Sequence, residues 1–279
     1  MERSYSLFLS LLLLNLYLLE ATGIKTDQSA LLALKASFTL NSSHPLTQNW
    51  SSQSYVCDWI GVTCGSLHHR VTALNISNMN ILGTISPHLG NISFLVSLDV
   101  SENNLRGNLP QDLSRLRRLK VMDFAFNNFS GEIPMWFGFN SKLETLNLRN
   151  NLIQGSIPKE IGNLENLKEL ILFGNQFTGS IPLSIFNISS LEILGLSSNQ
   201  LSGSLPVDIC RRLQRIKSIA IINNHLSGHI PPGLSNCTEL SELSLSYNNF
   251  IGTIPPEIVN LERLQLLNLG GNKLHGGGD

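Results

Sequence analysis

The chain has 279 residues, of which 42% are hydrophobic and 14% are charged, below the roughly 25% charged residues of average globular domains. Nineteen lysines and arginines stand against twenty aspartates and glutamates, so the net charge is −1. This balance argues against nucleic acid as a partner, because phosphate binding requires a basic surface.

Residues 1–23 have the features of a secretory signal peptide. Arg3 precedes the apolar run 7–19, which is shorter than the ~20 residues of a membrane span. Ala21 and Gly23 supply the small residues of a cleavage site. A retained anchor is the alternative, which Asn15 inside the run disfavours. We therefore expect the mature chain to enter the secretory pathway, an oxidising compartment.

The segment "TDQSALLALKASF" (26–38) predicts a capped amphipathic helix. Leu31, Leu34 and Phe38 fall on one face of that helix. This face would pack against the structure that follows in the chain.

Residues 71–276 repeat the pattern L-x-x-L-x-L-x-x-N-x-L-x-G-x-I-P nine times. The period is 24 residues, with one interval of 25 before Ile216. The repeats begin at Val71, Leu95, Leu119, Leu143, Leu167, Leu191, Ile216, Leu240 and Leu264. Self-similarity with this period and apolar order indicates leucine-rich repeats.

Each position of the repeat has a predicted physical role. The alternating L-x-L predicts a short strand, and strands of successive coils stack in parallel with the leucines inward. The ninth-position Asn, from Asn103 to Asn272, would satisfy backbone groups where the chain leaves the strand. The thirteenth-position Gly, from Gly83 to Gly276, indicates a backbone with positive φ. The Ile-Pro pair is expected to begin a second extended stretch.

Two features carry a resemblance to a known family. The L-x-G-x-I-P corner is the plant-type repeat, and "CDWIGVTC" (57–64) running into "HRVTALNIS" looks like the plant N-terminal cap. The chain therefore resembles the extracellular domain of plant leucine-rich-repeat receptor-like kinases. The segment "GTISPHLGNISFLVSLDVSENNLRG" is most similar to the kinases that sense microbial patterns.

This resemblance implies a fold and a function. The fold is an α/β solenoid, a right-handed superhelix with a parallel concave β-sheet and a helical N-terminal cap. The function is binding of an extracellular peptide or protein ligand in signalling or defence, with the ectodomain of a co-receptor kinase as a further partner. Four segments follow: signal peptide 1–23, cap 24–70, nine repeats 71–276 of which the last is incomplete, and tail 277–279.

No catalytic motif is present in the sequence, so we expect neither an enzyme nor a cofactor or metal in these residues. Gly278 and Asp279 stand where earlier repeats have Ile-Pro, which suggests a chain truncated before a membrane span and a serine/threonine kinase domain. The full receptor would lie on the extracellular face of the plasma membrane. The alternative is a secreted soluble protein of the apoplast, a cell-wall-enzyme inhibitor or a decoy. Such inhibitors resemble this chain but close with a cysteine-bearing C-terminal cap that is missing here.

The four cysteines lead to two questions. Cys57 and Cys64 predict a disulfide whose short loop stabilises the fold by roughly 2–3 kcal/mol. A metal site of these cysteines with His68 and His69 is the alternative, although the spacing is wider than zinc sites use. Cys210 and Cys237 lie one coil apart, and either a second disulfide or simple burial of Cys237 as a small apolar residue fits the sequence.

Seven Asn-x-Ser/Thr motifs predict glycosylation. They begin at Asn41, Asn49, Asn75, Asn91, Asn128, Asn187 and Asn236. Asn91, Asn187 and Asn236 share the twenty-first position of the repeat, on the convex or lateral segment, so glycans there leave the concave sheet free. Asn75 points toward the concave face.

The predicted ligand-binding residues are those that alternate with the leucines or follow them directly. This set includes Asp99, Phe126, Arg149, Asn150, Ile171, Phe173, Ile193, Ile222 and Tyr247. Aromatic residues and arginine dominate binding hot spots, so these positions predict a peptide-binding stripe. The alternative is that they are the scattered apolar residues that any protein surface carries.

Overall fold

The computed structural model describes residues 23–276. The predicted signal peptide therefore lies, apart from Gly23, outside the described residues, as does the tail. The cap contains helix α1 over residues 23–36, helix α2 (Pro45–Asn49) and a 3-10 turn (Val56–Asp58). Over residues 23–276, the helices lack the length and apolar character that crossing a bilayer requires.

The helix predicted over 26–38 is wrong at its C-terminal end. Helix α1 ends at residue 36, and the Ser37 hydroxyl donates to the carbonyls of Leu34 and Thr84. Phe38 begins a short strand that pairs with the first repeat, so strand pairing there ends the helix. Leu31 and Leu34 are fully buried and Phe38 still packs into the core.

The L-x-L segments form one ten-stranded sheet, which we call the concave sheet. Its strands are β2 Val62–Cys64, β3 Val71–Asn75, β5 Ser97–Asp99, β7 Val121–Asp123, β9 Thr145–Asn147, β11 Glu169–Ile171, β13 Ile193–Gly195, β15 Ser218–Ala220, β17 Glu242–Ser244 and β19 Leu266–Asn268. From β3 onward all pairs are parallel, and Leu98 pairs with Met122, the residue one full repeat later. Equivalent positions of successive coils therefore lie side by side in straight rows.

A second ten-stranded sheet, which we call the outer sheet, was not predicted. Its strands are β1 Phe38–Thr39, β4 Leu82–Gly83, β6 Asn104–Gly107, β8 Asn128–Gly131, β10 Leu152–Ser156, β12 Gln176–Ser180, β14 Gln200–Gly203, β16 His225–His229, β18 Asn249–Gly252 and β20 Lys273–Leu274. Here Gln154 pairs with Gln176, two residues short of a full repeat. A two-residue stagger preserves which side chains face inward, since the strand period is two.

The expectation that Ile-Pro begins the second extended stretch is wrong in register. The outer strand precedes Ile-Pro, and the proline instead leads into a short 3-10 segment, as at Pro134. These segments are Pro87–Asn91, Gln111–Arg115, Met135–Phe139, Lys159–Asn163, Leu183–Asn187, Pro232–Asn236 and Pro256–Asn260. The fixed φ of proline suits the residue before a helical turn, and its missing N–H costs nothing there.

The inward asparagines form a continuous ladder, as predicted. The Oδ1 of Asn127 accepts from the N–H of Leu105 in the preceding coil. Its Nδ2 donates to the carbonyls of Val100, Phe124 and Ala125. Val100 in turn accepts from Asn103 of its own coil. Because one carbonyl serves two successive asparagines, the polar groups of each turn are satisfied inside an otherwise apolar core.

The cap closes the N-terminal edge of both sheets. Strand β2 pairs antiparallel with β3, and β1 pairs antiparallel with β4. Unpaired strand edges are a risk for association, so this arrangement protects one end of the solenoid. At the other end, Leu266 and Leu267 of the ninth coil are 49% and 42% exposed.

Both cysteine pairs are disulfides. Cys57 and Cys64 have Cα atoms 5.6 Å apart, and Cys210 and Cys237 have Cα atoms 5.1 Å apart. The second bridge joins two successive coils at the 25-residue repeat, where turns over 207–212 replace the 3-10 segment. The sequence left this pairing open, and the structure resolves it as a covalent link inside the core.

Candidate ligand-binding face

The concave sheet presents the third, fifth, seventh and eighth positions of each repeat on the side away from the buried leucines. Side chains alternate across a strand, so these positions follow from the burial of the leucines. Phe126 and Tyr247 are 38% and 66% exposed. The other predicted residues are half-buried: Asp99, Arg149, Asn150, Ile171, Phe173, Ile193 and Ile222. The nine predicted residues thus share one face across coils two to eight, and their role in binding stays a prediction.

The eighth position has a left-handed backbone in all nine coils. Its φ values lie between +51° and +71°, and its residues are Asn78, Glu102, Phe126, Asn150, Gly174, Ser198, Asn223, Tyr247 and Gly271. Asparagine and glycine adopt this conformation readily, whereas bulky side chains do so at a cost of about 1–2 kcal/mol. Asn150 therefore has a sufficient backbone reason for its position. Phe126 and Tyr247 do not.

Arg149 lies directly beside Phe126. Its guanidinium carbon is 4.6 Å from the centre of the Phe126 ring, a cation–π contact. Its Nε atom is buried without a hydrogen-bond partner. Among residues 23–276 no carboxylate lies within salt-bridge distance of this guanidinium. The arginine is thus held in place by the ring and keeps its hydrogen-bonding capacity.

A polar row crosses coils one to four at the fifth position. Asn75 donates to Asp99 over 3.2 Å, and Asn147 donates to Asp123 over 2.9 Å. Asp99 and Asp123 are paired in register on adjacent strands. Burial raises the pKa of Asp123, and the neighbouring Asp99 carboxylate raises it further. Asp123 was missed from the sequence, although aligning the fifth positions would have shown it beside Asp99.

The same row becomes apolar from the fifth coil onward. It continues as Ile171, Gly195 and Ala220, and Phe173 and Ile222 stand at the seventh position of the same coils. Gly195 brings no side chain, and a Cβ there would meet Ile171 at an ordinary 3.6 Å. The small residues leave the larger Ile and Phe side chains as walls of a shallow apolar depression. The concave face therefore has a polar half and an apolar half.

A row of alternating charges borders this face at the second position. Glu144 accepts from both Lys120 and Lys168 at 2.7 Å, and Glu192 accepts from Lys217 at 2.6 Å. The two lysine hydrogen bonds lower the pKa of Glu144 to about 2, and the bond from Lys217 lowers the pKa of Glu192. The row is neutralised internally, so it borders the face without giving it charge.

This row predicts a pH effect on stability. The pKa of Glu144 is depressed on folding, so its stabilisation is complete above about 4.5 and is lost as pH falls toward about 2. We expect Glu144→Gln to lower the melting temperature at pH 6, and the difference from the parent to shrink toward zero at pH 2. Thermal melts over this range measure it. Glu165→Gln, at an exposed site with no salt bridge among residues 23–276, is the control. A pH-independent difference for Glu144→Gln would contradict the assignment.

The three twenty-first-position asparagines each end a 3-10 segment. These segments are Pro87–Asn91, Leu183–Asn187 and Pro232–Asn236, away from the concave sheet. Asn41 and Asn128 are exposed, Asn49 ends α2 with its Oδ1 accepting from Ile60, and Asn75 belongs to the polar row. Glycans on the first three would leave the binding face accessible. No cluster of metal-ligating side chains is present over the described range.

Family comparisons agree with this architecture. Residues 24–65 match the leucine rich repeat N-terminal domain, and residues 117–177 match a leucine rich repeat family. A second leucine rich repeat family matches 94–116, 190–211 and 239–261. The chain belongs to the leucine-rich-repeat family. Its repeats follow the N-terminal domain directly, as the resemblance implied.

Two Arabidopsis thaliana relatives illustrate the range of similar sequences. The LRR receptor-like serine/threonine-protein kinase EFR is 42% identical over 71 residues, 25% of this leucine-rich-repeat chain and 7% of the kinase. Polygalacturonase inhibitor 2 is 36% identical over 102 residues, 35% of this chain and 30% of the inhibitor. The matched segments thus span less than a third of either relative.

Solved structures show the same solenoid in proteins of different function. The ectodomain of the Arabidopsis receptor kinase GASSHO1/SCHENGEN3, in complex with CASPARIAN STRIP INTEGRITY FACTOR 2, has a TM-score of 0.76 at 31% identity, covering 89% of this chain and 33% of that one. The Arabidopsis HAESA ectodomain with an IDA peptide hormone ligand has a TM-score of 0.69 at 27% identity, covering 91% and 50%. A plant ice-binding protein has a TM-score of 0.76 at 29% identity, covering 90% and 88%.

Proposed function

We propose that this chain is the extracellular ligand-binding module of a plant receptor-like kinase and captures a peptide or protein ligand on its concave face. Similarity to receptor kinases and to ectodomains solved with ligands supports this proposal. The module would act in the secretory pathway or at the extracellular face of the plasma membrane. A co-receptor kinase ectodomain would join the complex.

One observation carries the placement of the binding site. Phe126 and Tyr247 are exposed aromatic side chains on a left-handed backbone that other coils fill with Asn, Gly, Ser or Glu. Their rings return little burial to the fold, so the backbone cost has no structural compensation. Strained residues of this kind concentrate at functional sites, and exposed aromatic residues are the usual anchors of binding interfaces.

The test is to replace both aromatics by the residue that the fold prefers at this position. Phe126→Asn with Tyr247→Asn should raise the melting temperature, since asparagine relieves about 0.5–1 kcal/mol of strain at each site. The same variant should bind ligand at least about 30-fold more weakly, the effect of losing one 2 kcal/mol anchor.

The ligand would be isolated from plant extracellular fluid on the immobilised chain, identified by mass spectrometry and resynthesised for calorimetric titration. Val207→Asn is the matched control, because Val207 is 72% exposed and lies in the turn segment away from the concave face. The control should bind like the parent. Equal affinity of parent and double variant would remove Phe126 and Tyr247 from the site.

A secreted soluble protein is the second candidate, since polygalacturonase inhibitor 2 and the ice-binding protein are similar to this chain. A titration of fungal polygalacturonase with the purified chain separates the two classes. The receptor proposal expects full residual enzyme activity at a molar excess of the chain. Stoichiometric inhibition would favour the inhibitor instead.

A further inference from the structure

The charge of the concave face differs from that of the whole chain. The third, fifth, seventh and eighth positions of the nine coils hold five carboxylates, those of Asp99, Glu102, Asp123, Glu169 and Glu242, and one guanidinium, that of Arg149. The whole chain has a net charge of only −1. None of the five carboxylates has a salt-bridge partner within the part of the chain that the structure describes.

The charged and apolar parts of this face are separated along the solenoid. Asp99 and Asp123 lie on coils two and three, and Ile171, Phe173, Ile193 and Ile222 lie on coils five to seven. Neighbouring strands are about 4.8 Å apart, so about 14 Å separates the centre of the Asp pair from Ile171 and Ile193. An extended peptide advances about 3.3 Å per residue and would cross this distance in about four residues.

Building on the proposed function, we infer that the face takes an extended, basic peptide segment with a Lys or Arg over Asp99 and Asp123 and an apolar residue about four positions away over Ile171, Phe173 and Ile193. Charge complementarity selects the basic end, because two fixed carboxylates without a cationic partner attract a cation. Apolar burial in the depression between Ile171 and Ile222 retains the other end. Phe126 and Arg149 lie between the two ends, where ring and guanidinium contact the connecting residues.

The Asp pair can be neutralised without disturbing the fold. Asp99 and Asp123 each accept a backbone N–H two residues later, from Ser101 and Ala125. Asn75 accepts from the N–H of Ser77 in the same way. Asp99→Asn with Asp123→Asn therefore keeps the turn and removes only the charge.

The experiment is selection of a random dodecapeptide display library on the immobilised chain. We expect enriched peptides to carry Lys or Arg and, about four positions away, Leu, Ile or Phe. A synthetic peptide of the enriched sequence should bind the Asp99→Asn/Asp123→Asn variant at least ten-fold more weakly, and its affinity for the parent should fall as salt rises. Glu160→Gln with Glu165→Gln is the matched control: it removes the same charge outside the concave face and should leave affinity unchanged.

Several outcomes would overturn the inference. Enriched peptides that are neutral or acidic would do so, as would equal losses in both double variants or no enrichment above the Asp99→Asn/Asp123→Asn background. The Phe126→Asn/Tyr247→Asn variant separates this failure from that of the proposed function. Peptides that lose affinity on that variant but contain no basic residue would keep the binding face and reject the ligand class. Peptides indifferent to both double variants would reject the two together.

Discussion

Asn175→Ala should lower the free energy of unfolding by about 3 kcal/mol. The Asn175 Oδ1 accepts from the N–H of Ile153, and its Nδ2 donates to the carbonyls of Leu148, Leu172 and Phe173. Alanine removes all four bonds inside the core. The carbonyls of Leu148 and Leu172 keep bonds from Asn151 and Asn199, whereas the Ile153 N–H loses its side-chain acceptor. A buried unsatisfied donor costs about 1–3 kcal/mol and each lost bond about 0.5–1.5 kcal/mol.

Denaturant unfolding followed by circular dichroism measures this effect. Gln176→Ala, at the next residue on the exposed side of strand β12, is the matched control and should change stability by no more than about 0.5 kcal/mol. Asn175→Asp keeps the side-chain size and removes the amide donor, so it separates hydrogen bonding from packing. If Asn175→Asp were as stable as the parent, the ladder would not be the source of the stabilisation.

The sequence specified the repeating part of the fold because each coil repeats one set of local requirements. Leucine spacing predicts the concave strands, and the inward Asn and the left-handed Gly follow from the needs of a buried turn. The outer sheet could not be found in this way. Its strands begin with residues such as Asn128 and end with Gly131, which indicate a turn when read locally. Only pairing with neighbouring coils makes these segments extended.

The binding face was partly readable from the sequence. Alternation with the leucines placed Phe126, Arg149 and Tyr247 on one side. The strain at Phe126 and Tyr247 became visible only with the backbone, although the Asn and Gly residues of the eighth position were a signal for it. Alignment by position would also have revealed Asp123 beside Asp99. What no pattern gave is the change from a polar to an apolar row, since it depends on which coils are adjacent in space.

The second large effect is expected at the junction of cap and repeats. Asp27 is fully buried, and its two carboxylate oxygens accept from the guanidinium of Arg70 at 2.7 and 2.8 Å. The same carboxylate accepts from the N–H of Val71, the first residue of the repeats, at 3.0 Å. One side chain of helix α1 therefore fixes the first strand of the repeat array.

Asp27→Ala should cost about 3–5 kcal/mol, because it leaves the half-buried Arg70 charge and the Val71 N–H without their partner. Arg70→Ala should cost a similar amount, and the double variant should cost less than the sum of the two, since it leaves neither charge alone. Chemical denaturation of the four proteins measures this cycle. Asp208→Ala breaks the exposed Asp208–Arg211 pair and should change stability by less than about 1 kcal/mol. The cap tryptophans Trp50 and Trp59 are buried and stacked, so their fluorescence reports whether the cap separates first. Strict additivity of the two single changes would show that the ion pair does not couple the cap to the solenoid.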